Sequence, residues 1–267
     1  MPDASDSSPF ASTEEYYAEY RPEYGDAACR YLVDRFDLDE SQRVLDLGCG
    51  AGEIALDLAP GVGSVVGMDP NEAMLRAARR RADEAGVDNV EWIHGSDADL
   101  DTDLGRFRLV TMGRSFHWMN ERATLDRLHD LLDLGGGVAL LTDREWLTKG
   151  TAEWHEAVYD LADGYLDDLP DRVAPDEVEY DDPWDELLEE RGYTDVETVT
   201  FDVRREWSVE EAVGYVFSLS YCSPETFGND EKAFESDVRA LLRDRGGGPF
   251  VQHTVVEVIS GRKPADE

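Results

Sequence analysis

The stretch VLDLGCGAGEIALDLA, Val44 to Ala59, decides the fold. A short apolar, β-prone run is followed by three glycines within five positions, Gly48, Gly50 and Gly52, and then by helical spacing. A glycine-rich turn between a strand and its helix lets the backbone approach a ligand with no Cβ in the way. The carboxyl ends of parallel strands are where open α/β sheets bind ligands. The turn therefore predicts a cofactor site at the end of a first strand.

The alternation continues outward from this stretch. SVVGMD is followed by EAMLRAARRRADEAG, VEWIHG stands next, FRLVTMG is followed by ERATLDRLHDLL, and GGVALLTD ends at Asp143. Short, almost continuously apolar runs between helical patterns predict an α/β fold, a doubly wound sheet with mostly parallel strands covered on both faces. DVETVTFDVRREW and FVQHTVVEVIS alternate with period two and predict an antiparallel terminal pair, separated by helical patterns at Val209 to Ser220 and Glu231 to Arg243. Upstream, Glu14 to Phe36 reads as a tyrosine-rich helical pattern that runs past Arg21-Pro22, preceded by a Ser, Asp and Pro rich segment of about 12 residues that should be mobile. Thr151 to Arg191 is acidic and helix-prone, broken by prolines 170, 175 and 183, and it carries Trp154, Tyr159, Tyr165, Tyr180 and Trp184. It reads as a lid-like insertion over the active-site end. The expected organisation is one domain over 1-267, with a cofactor-binding core at 14-145, the insertion at 151-191, and 194-261 completing the sheet.

Charge narrows the function. The chain has 61 acidic and 25 basic residues, a formal net charge of −36, and lysine only at Lys149, Lys232 and Lys263. The excess is spread along the whole chain, and the pattern resembles cytosolic proteins of halophilic archaea. There, salt shortens the screening length from about 10 Å at 0.1 M to about 3 Å at 1 M. The alternative is an acidic solubility or interaction surface. No basic stripe is present, which argues against a nucleic-acid partner; the cluster from Arg76 has helical spacing and reads as a solvated face. Cys29, Cys49 and Cys222 lack disulfide or zinc spacing, and His94, His129, His155 and His253 lack metal-ligand spacing, so no metal is expected. Neither a signal peptide nor a membrane span is visible, which points to the cytoplasm and no membrane partner.

Two cofactor classes compete for the glycine turn. A dinucleotide fingerprint wants G-x-G-x-x-G, but here the third glycine comes one residue early, at Gly52, and Glu53 takes the position reserved for glycine. A carboxylate beside a pyrophosphate is unfavourable, so the turn suits a ligand that is cationic or uncharged at that end.

VLDLGCGAG resembles motif I of class I S-adenosylmethionine-dependent methyltransferases, with Asp46 two residues before the first glycine. The resemblance covers most of residues 14 to 145 and implies a Rossmann-like sheet of seven strands and S-adenosylmethionine as cofactor, with S-adenosylhomocysteine as product. Asp69, in VVGMDPNEAML, matches the acid that accepts the ribose hydroxyls, at a spacing that dinucleotide enzymes share. Asp97, in HGSDADL, matches the acid that takes the adenine amino group, with the Ala98 amide facing the ring; a helix-cap or turn role is the other reading. Cys49, Pro70 and Met74 join this cofactor-binding set by the same match. The glycines at 135 to 137 resemble the family's turn into the fifth strand and read as structural.

TMGRSFHWMN resembles a subgroup, the methyltransferase type 11 and trans-aconitate methyltransferase-like proteins, in which a His-Trp pair after the fourth strand faces the methyl group and the substrate. That implies His117 as the candidate catalytic residue and Arg114, Phe116 and Trp118 as substrate-side residues, the two aromatics as pocket wall or core. TEEYYAEYRPEY resembles the subgroup's opening helix, which folds over the cofactor, so Tyr16, Tyr20 and Arg21 are candidates; for the tyrosines, packing on a helix face is the alternative. Methyl transfer from a sulfonium is an in-line displacement in which the protein mainly positions and excludes water. A carboxylate acceptor needs a cation such as Arg21 or Arg114, whereas a hydroxyl, amine or carbon acceptor needs a base, and an imidazole titrates in the right range. His117 is either that base, a hydrogen-bond donor to substrate, or a residue that fixes its loop. The expected function is methyl transfer to a small-molecule acceptor. A non-catalytic S-adenosylmethionine-binding module and an NAD(P)-linked oxidoreductase stay open, while RNA or DNA methylation is opposed by the charge.

Overall fold

In the computed structural model, which describes residues 13–143, 147–148, 150, 152–172 and 183–265, the alternation becomes strands β1 (Arg43–Leu47), β2 (Ser64–Asp69), β3 (Val90–His94), β4 (Phe107–Gly113), β5 (Leu132–Asp143), β6 (Thr194–Trp207) and β7 (Phe250–Arg262). The helices are α1 (Glu14–Tyr20), α2 (Asp26–Phe36), α3 (Glu53–Leu58), α4 (Glu72–Ala85), α5 (Glu121–Leu131), α6 (Glu153–Asp163), α7 (Trp184–Glu190), α8 (Val209–Phe217), α9 (Pro224–Phe227) and α10 (Glu231–Asp244). The expected mobile segment before Thr13, and Pro175 and Tyr180 of the expected insertion, lie outside the described residues.

The first helical pattern is two helices, not one. Arg21 precedes a proline, which disfavours the α region, and it is extended at φ −69°, ψ 132°; Gly25 follows at φ +86° before α2 begins. Caps elsewhere follow the sequence closely: Asn71 accepts from the Ala73 and Met74 amides at the start of α4, and Gly86 closes that helix in the left-handed region.

The sheet has seven strands in the order β3-β2-β1-β4-β5-β7-β6. β1 runs parallel to β2 and β4, β4 runs parallel to β5, and β7 is antiparallel to β5 with Gly137 opposite Arg262. The chain therefore winds one way from β1 to β3 and the other way from β4 to β5. The switch point lies between β1 and β4, where such sheets bind ligands. Successive residues serve opposite faces. Leu45, Leu47, Val110, Met112, Val138 and Leu140 enter one core, and Val44, Leu109, Ala139 and Leu141 enter the other with Leu32 and Phe36 of α2. The 135 to 137 glycines are structural, as expected: a Cβ on Gly137 would lie 2.1 Å from the Gly261 carbonyl oxygen.

Cations gather where the parallel strands begin. Arg43 donates to Leu104 O, Arg106 to Leu132 O, Arg108 to Phe36 O, Arg262 to Gly135 O, and Lys263 to His129 O. Each holds a main-chain carbonyl of a loop, a helix end or a strand end at that edge.

The chain divides into two compact units. One comprises Glu23–Asp143, Tyr180–Val203 and Val255–Glu267 and contains the parallel sheet; the other comprises Met1–Pro22, Arg144–Glu179 and Arg204–Thr254. The second unit has its own core, built from Trp154, Trp207, Tyr215, Phe217, Phe227 and Phe234, with Phe227 stacked on Phe234 at 3.9 Å. Trp154 belongs to this core and Trp184 to a core of the sheet unit. These two aromatics of the expected insertion thus bury chain against chain.

Candidate functional site

Gly48, Gly50 and Gly52 all have positive φ, at 70°, 54° and 85°. Two of the three are dictated by neighbouring protein atoms. A Cβ on Gly48 would lie 2.5 Å from Ser115 Cβ, and one on Gly52 would lie 2.6 Å from Cη2 of Trp92. The inference that these glycines clear space for a ligand is therefore corrected in part: Ser115, whose Oγ donates to Leu47 O at 2.8 Å, and Trp92 take that space. Gly50 is different. Its N–H donates to Asp69 Oδ2 at 2.8 Å, while Asp69 Oδ1 accepts the Asn71 N–H at 2.8 Å. Burial pushes the Asp69 carboxyl up, and the two amides pull it down. The carboxylate is thus buried at the end of β2 and held from both sides. Pro70 O accepts from His94 Nε2 at 2.9 Å; Cys49 and Met74 are buried beside the turn and in α4.

Asp46 is turned into the protein. Its Oδ1 accepts from Thr111 Oγ1 at 2.8 Å and its Oδ2 from the Ala55 N–H at 3.2 Å, tying β1 to β4 and to α3. Burial pushes its carboxyl up to about 7, with Thr111 opposing the shift. Asp97 holds the entry to α5, since its Oδ2 accepts from the Asn120 N–H at 3.2 Å and from Thr124 Oγ1 at 3.0 Å. The Ala98 N–H is given to Ser96 Oγ at 3.2 Å, so in this arrangement the amide serves a cap.

Glu53 requires a correction. Its carboxylate is buried and meets Arg81 Nη1 of α4 at 3.0 Å, and burial pushes it up while Arg81 pulls it down. The charge that sequence spacing offers to a ligand is matched inside the fold, so Glu53 says little about the sign of that ligand.

At the end of β4, Arg114 sits at φ +52°. Its Nε and Nη2 reach Asp143 at 3.2 and 3.1 Å in a buried pair, and its Cζ lies 4.2 Å from the centre of the Tyr24 ring. Its charge is already engaged by a carboxylate, which weakens it as the cation for an acceptor. Beyond it, Ser115 and Phe116 are buried and His117 and Trp118 are exposed. Phe116 is 1% exposed and packs edge-on against Trp184 at 5.5 Å, which makes it core and not pocket wall; Trp118 is 60% exposed, with its ring 5.1 Å from that of His117. His117 is likewise on the surface.

Tyr20 and Arg21 belong to the other unit. The Tyr20 ring packs over Gly214 and lines a cavity of about 280 Å³ with Tyr16, Glu19, Glu210 and Arg239. Burial and Glu19 push its phenol up to about 12. Arg21 stacks on Tyr17 at 5.0 Å. The structure thus brings together the turn, Asp69 and, through Ser115, the loop of His117 and Trp118. Sequence reading missed Ser115, Trp92, Tyr24 and Asp143, because their roles depend on strand adjacency. Among the described residues no His, Cys, Asp and Glu cluster could hold a metal, and no helix is long and apolar enough to cross a membrane.

Against known proteins, a family profile described as a methyltransferase domain matches residues 44–136, which is β1 to the start of β5. An uncharacterised methyltransferase-like protein of Schizosaccharomyces pombe is 26% identical over 213 residues, covering 78% of this chain and 77% of that one. A ubiquinone/menaquinone biosynthesis C-methyltransferase of Coxiella burnetii is 31% identical over 156 residues, covering 56% of this chain and 61% of that protein. The enzyme is an S-adenosylmethionine-dependent methyltransferase. A type II methyltransferase structure from Anaeromyxobacter dehalogenans shares the methyltransferase fold, with a TM-score of 0.60, 23% identity, and coverage of 92% of this chain and 99% of that one.

The residues of this methyltransferase fit the adenosyl group. Each Asp69 oxygen accepts one backbone N–H and keeps a second lone pair, so the carboxylate can still take the two hydroxyl donors of a ribose diol. Gly50, left-handed and without a side chain, is braced by that carboxylate at the mouth of the turn.

Proposed function

We propose that the cradle of Gly48 to Gly52, Asp69 and Asp97 holds S-adenosylmethionine, and that the enzyme methylates a small-molecule acceptor by in-line displacement. The observation that carries this reading is the buried Asp69 carboxylate, fixed by two amides beside the glycine turn at the switch point of the sheet. When bound, S-adenosylmethionine supplies an electrophilic methyl carbon on a sulfonium. Asp69 accepts the ribose hydroxyls, and Asp97, which already accepts from Asn120 and Thr124 through Oδ2, receives the adenine amino group. His117, exposed on the loop after β4, accepts a proton on a ring nitrogen if the nucleophile carries one, and Trp118 beside it covers the acceptor. A small acceptor is favoured because a net charge of −36 opposes a polyanion, and because the Coxiella relative is named for ubiquinone/menaquinone biosynthesis. The acidic coat is read as adaptation to molar salt in a cytoplasm.

The test is isothermal titration in about 1 M KCl, which screens the carboxylates, with S-adenosylmethionine, S-adenosylhomocysteine and NADH, repeated with Asp69→Ala. Binding of the two adenosylated sulfur ligands alone, lost in the variant, supports the reading. Binding of NADH, or equal binding by the variant, overturns it.

A further inference from the structure

The amide that holds one oxygen of Asp69 belongs to a peptide unit whose other end is also held. Asn71 N–H donates to Asp69 Oδ1 at 2.8 Å, and the Pro70 carbonyl of that same peptide meets His94 Nε2 at 2.9 Å. A carbonyl oxygen only accepts, so Nε2 carries the proton and the imidazole is the donor. The peptide is planar, with its C=O and N–H fixed to one another. Holding the carbonyl therefore sets the direction of the amide. A bond on the carbonyl also polarises the unit and strengthens the bond that its N–H makes.

The ring reaches this peptide because of strand pairing. His94 ends β3 opposite Asp69, the last residue of β2, and the Gly95 N–H donates to Asp69 O at 3.1 Å. The end of β3 thus grips the corner twice, once through the backbone and once through the imidazole. The Asn71 side chain cannot take over the task, since its Oδ1 caps α4 by accepting from the Ala73 and Met74 amides at 2.8 and 3.3 Å. His94 is exposed, so its ring fills no core. Its charge acts on three carboxylates, Asp69 at the end of β2, Glu72 on α4 and Asp99 after β3, and that effect has to be told apart from the hydrogen bond.

We propose that His94 is a positioning residue for the methyl donor: through the Pro70–Asn71 peptide it aims the amide that fixes Asp69 Oδ1, and so sets how tightly the site holds the ribose diol. The inference rests on the reading of Asp69 as the ribose acceptor. With one lone pair of Oδ1 given to a fixed amide, the other is turned to the ligand before the ligand arrives. Without the imidazole the peptide can rock, and the carboxylate must be ordered at the expense of binding. What the position requires is an N–H and not a charge.

The test titrates S-adenosylhomocysteine, and its analogue lacking both ribose hydroxyls, calorimetrically into the full chain and into His94→Gln and His94→Leu. All are held in about 1 M KCl and checked for cooperative melting. Glutamine keeps a neutral N–H at the reach of Nε2, whereas leucine keeps bulk and loses the donor. His94→Leu should weaken S-adenosylhomocysteine by about three- to tenfold, the scale of one hydrogen bond, and His94→Gln should stay within about twofold of the wild type. For the analogue without hydroxyls, wild type and His94→Leu should bind alike. In the ligand-free protein, hydrogen exchange at the Asn71 amide should quicken in His94→Leu and not in His94→Gln. Equal affinity of wild type and His94→Leu, glutamine no better than leucine, an equal loss for the analogue, or unchanged exchange at Asn71 overturns the proposal. A wild type that binds no S-adenosylhomocysteine overturns the methyl-donor reading and this inference with it; one that binds it as tightly as His94→Leu does overturns the inference alone.

Discussion

Gly48→Ala separates the two reasons for a glycine in the turn. The new Cβ meets Ser115 Cβ at 2.5 Å and Ser115 Oγ at 2.8 Å, and the backbone stays at φ +70°. The left-handed conformation costs an alanine ~1–2 kcal/mol. Forcing a methyl group into a filled space costs ~1–3 kcal/mol. The expected loss is therefore about 2–5 kcal/mol, a large part of the stability of an ordinary domain. Ser115→Gly alone should cost about 1 kcal/mol, the worth of its bond to Leu47 O. In the double variant the clash disappears and only the backbone penalty and the lost bond remain. The four proteins, unfolded by urea at one KCl concentration, give a coupling energy between positions 48 and 115. A rescue of about 1–3 kcal/mol is expected, beyond the ~0.5 kcal/mol scatter of independent sites. Additive losses within that scatter, with S-adenosylhomocysteine binding abolished and stability nearly unchanged, would refute the packing argument and return the glycine to ligand clearance.

Three further outcomes are expected. The Asp46 carboxyl stands at about 7 when folded, above its unfolded value, so its contribution to stability is full at low pH and fades as pH rises from about 4 to 7; Asp46→Asn should flatten the stability profile over that window, and an unchanged profile rejects the assignment. Phe116→Ala should cost ~3–5 kcal/mol by opening the core beside Trp184, whereas Trp118→Ala should stay within about 0.5 kcal/mol, read by urea unfolding; the reverse order would mean that the two rings are exchanged. Raising KCl from 0.1 to 2 M should raise Tm, because salt screens repulsion among surplus carboxylates at a net charge of −36; a flat or falling Tm removes self-repulsion as the main electrostatic effect.

The strands were legible because buried parallel strands write almost continuous apolar runs, as in SVVGMD and FRLVTMG, and the antiparallel close because β6 and β7 alternate. Asn71 and Gly86 announced the ends of α4 through capping chemistry that acts within a few residues. The break at Arg21-Pro22 was also written locally, but helical periodicity on both sides masked it. Contacts across the sheet were illegible. Asp46 becomes a tie because register places it opposite Thr111, and Arg114 meets Asp143, 29 residues away, because β4 and β5 are neighbours. The same distance problem hid Trp92 beneath Gly52, so a motif read as ligand clearance was in part a packing requirement. Glu53 shows the corresponding error in charge: the sequence places an acid at the start of α3, and only the fold supplies Arg81 against it.

The cations that cover carbonyls at the beginnings of the parallel strands also decide how that edge meets salt. Arg108 and Arg262 each reach the Asp37 carboxylate, and Arg262 reaches Asp195 as well, so these two guanidiniums hold main chain and side chain at once. Both carboxylates are exposed, and potassium chloride screens their attraction. One side chain thus ties the strand ends by two kinds of bond, of which concentrated salt loosens only the ionic one.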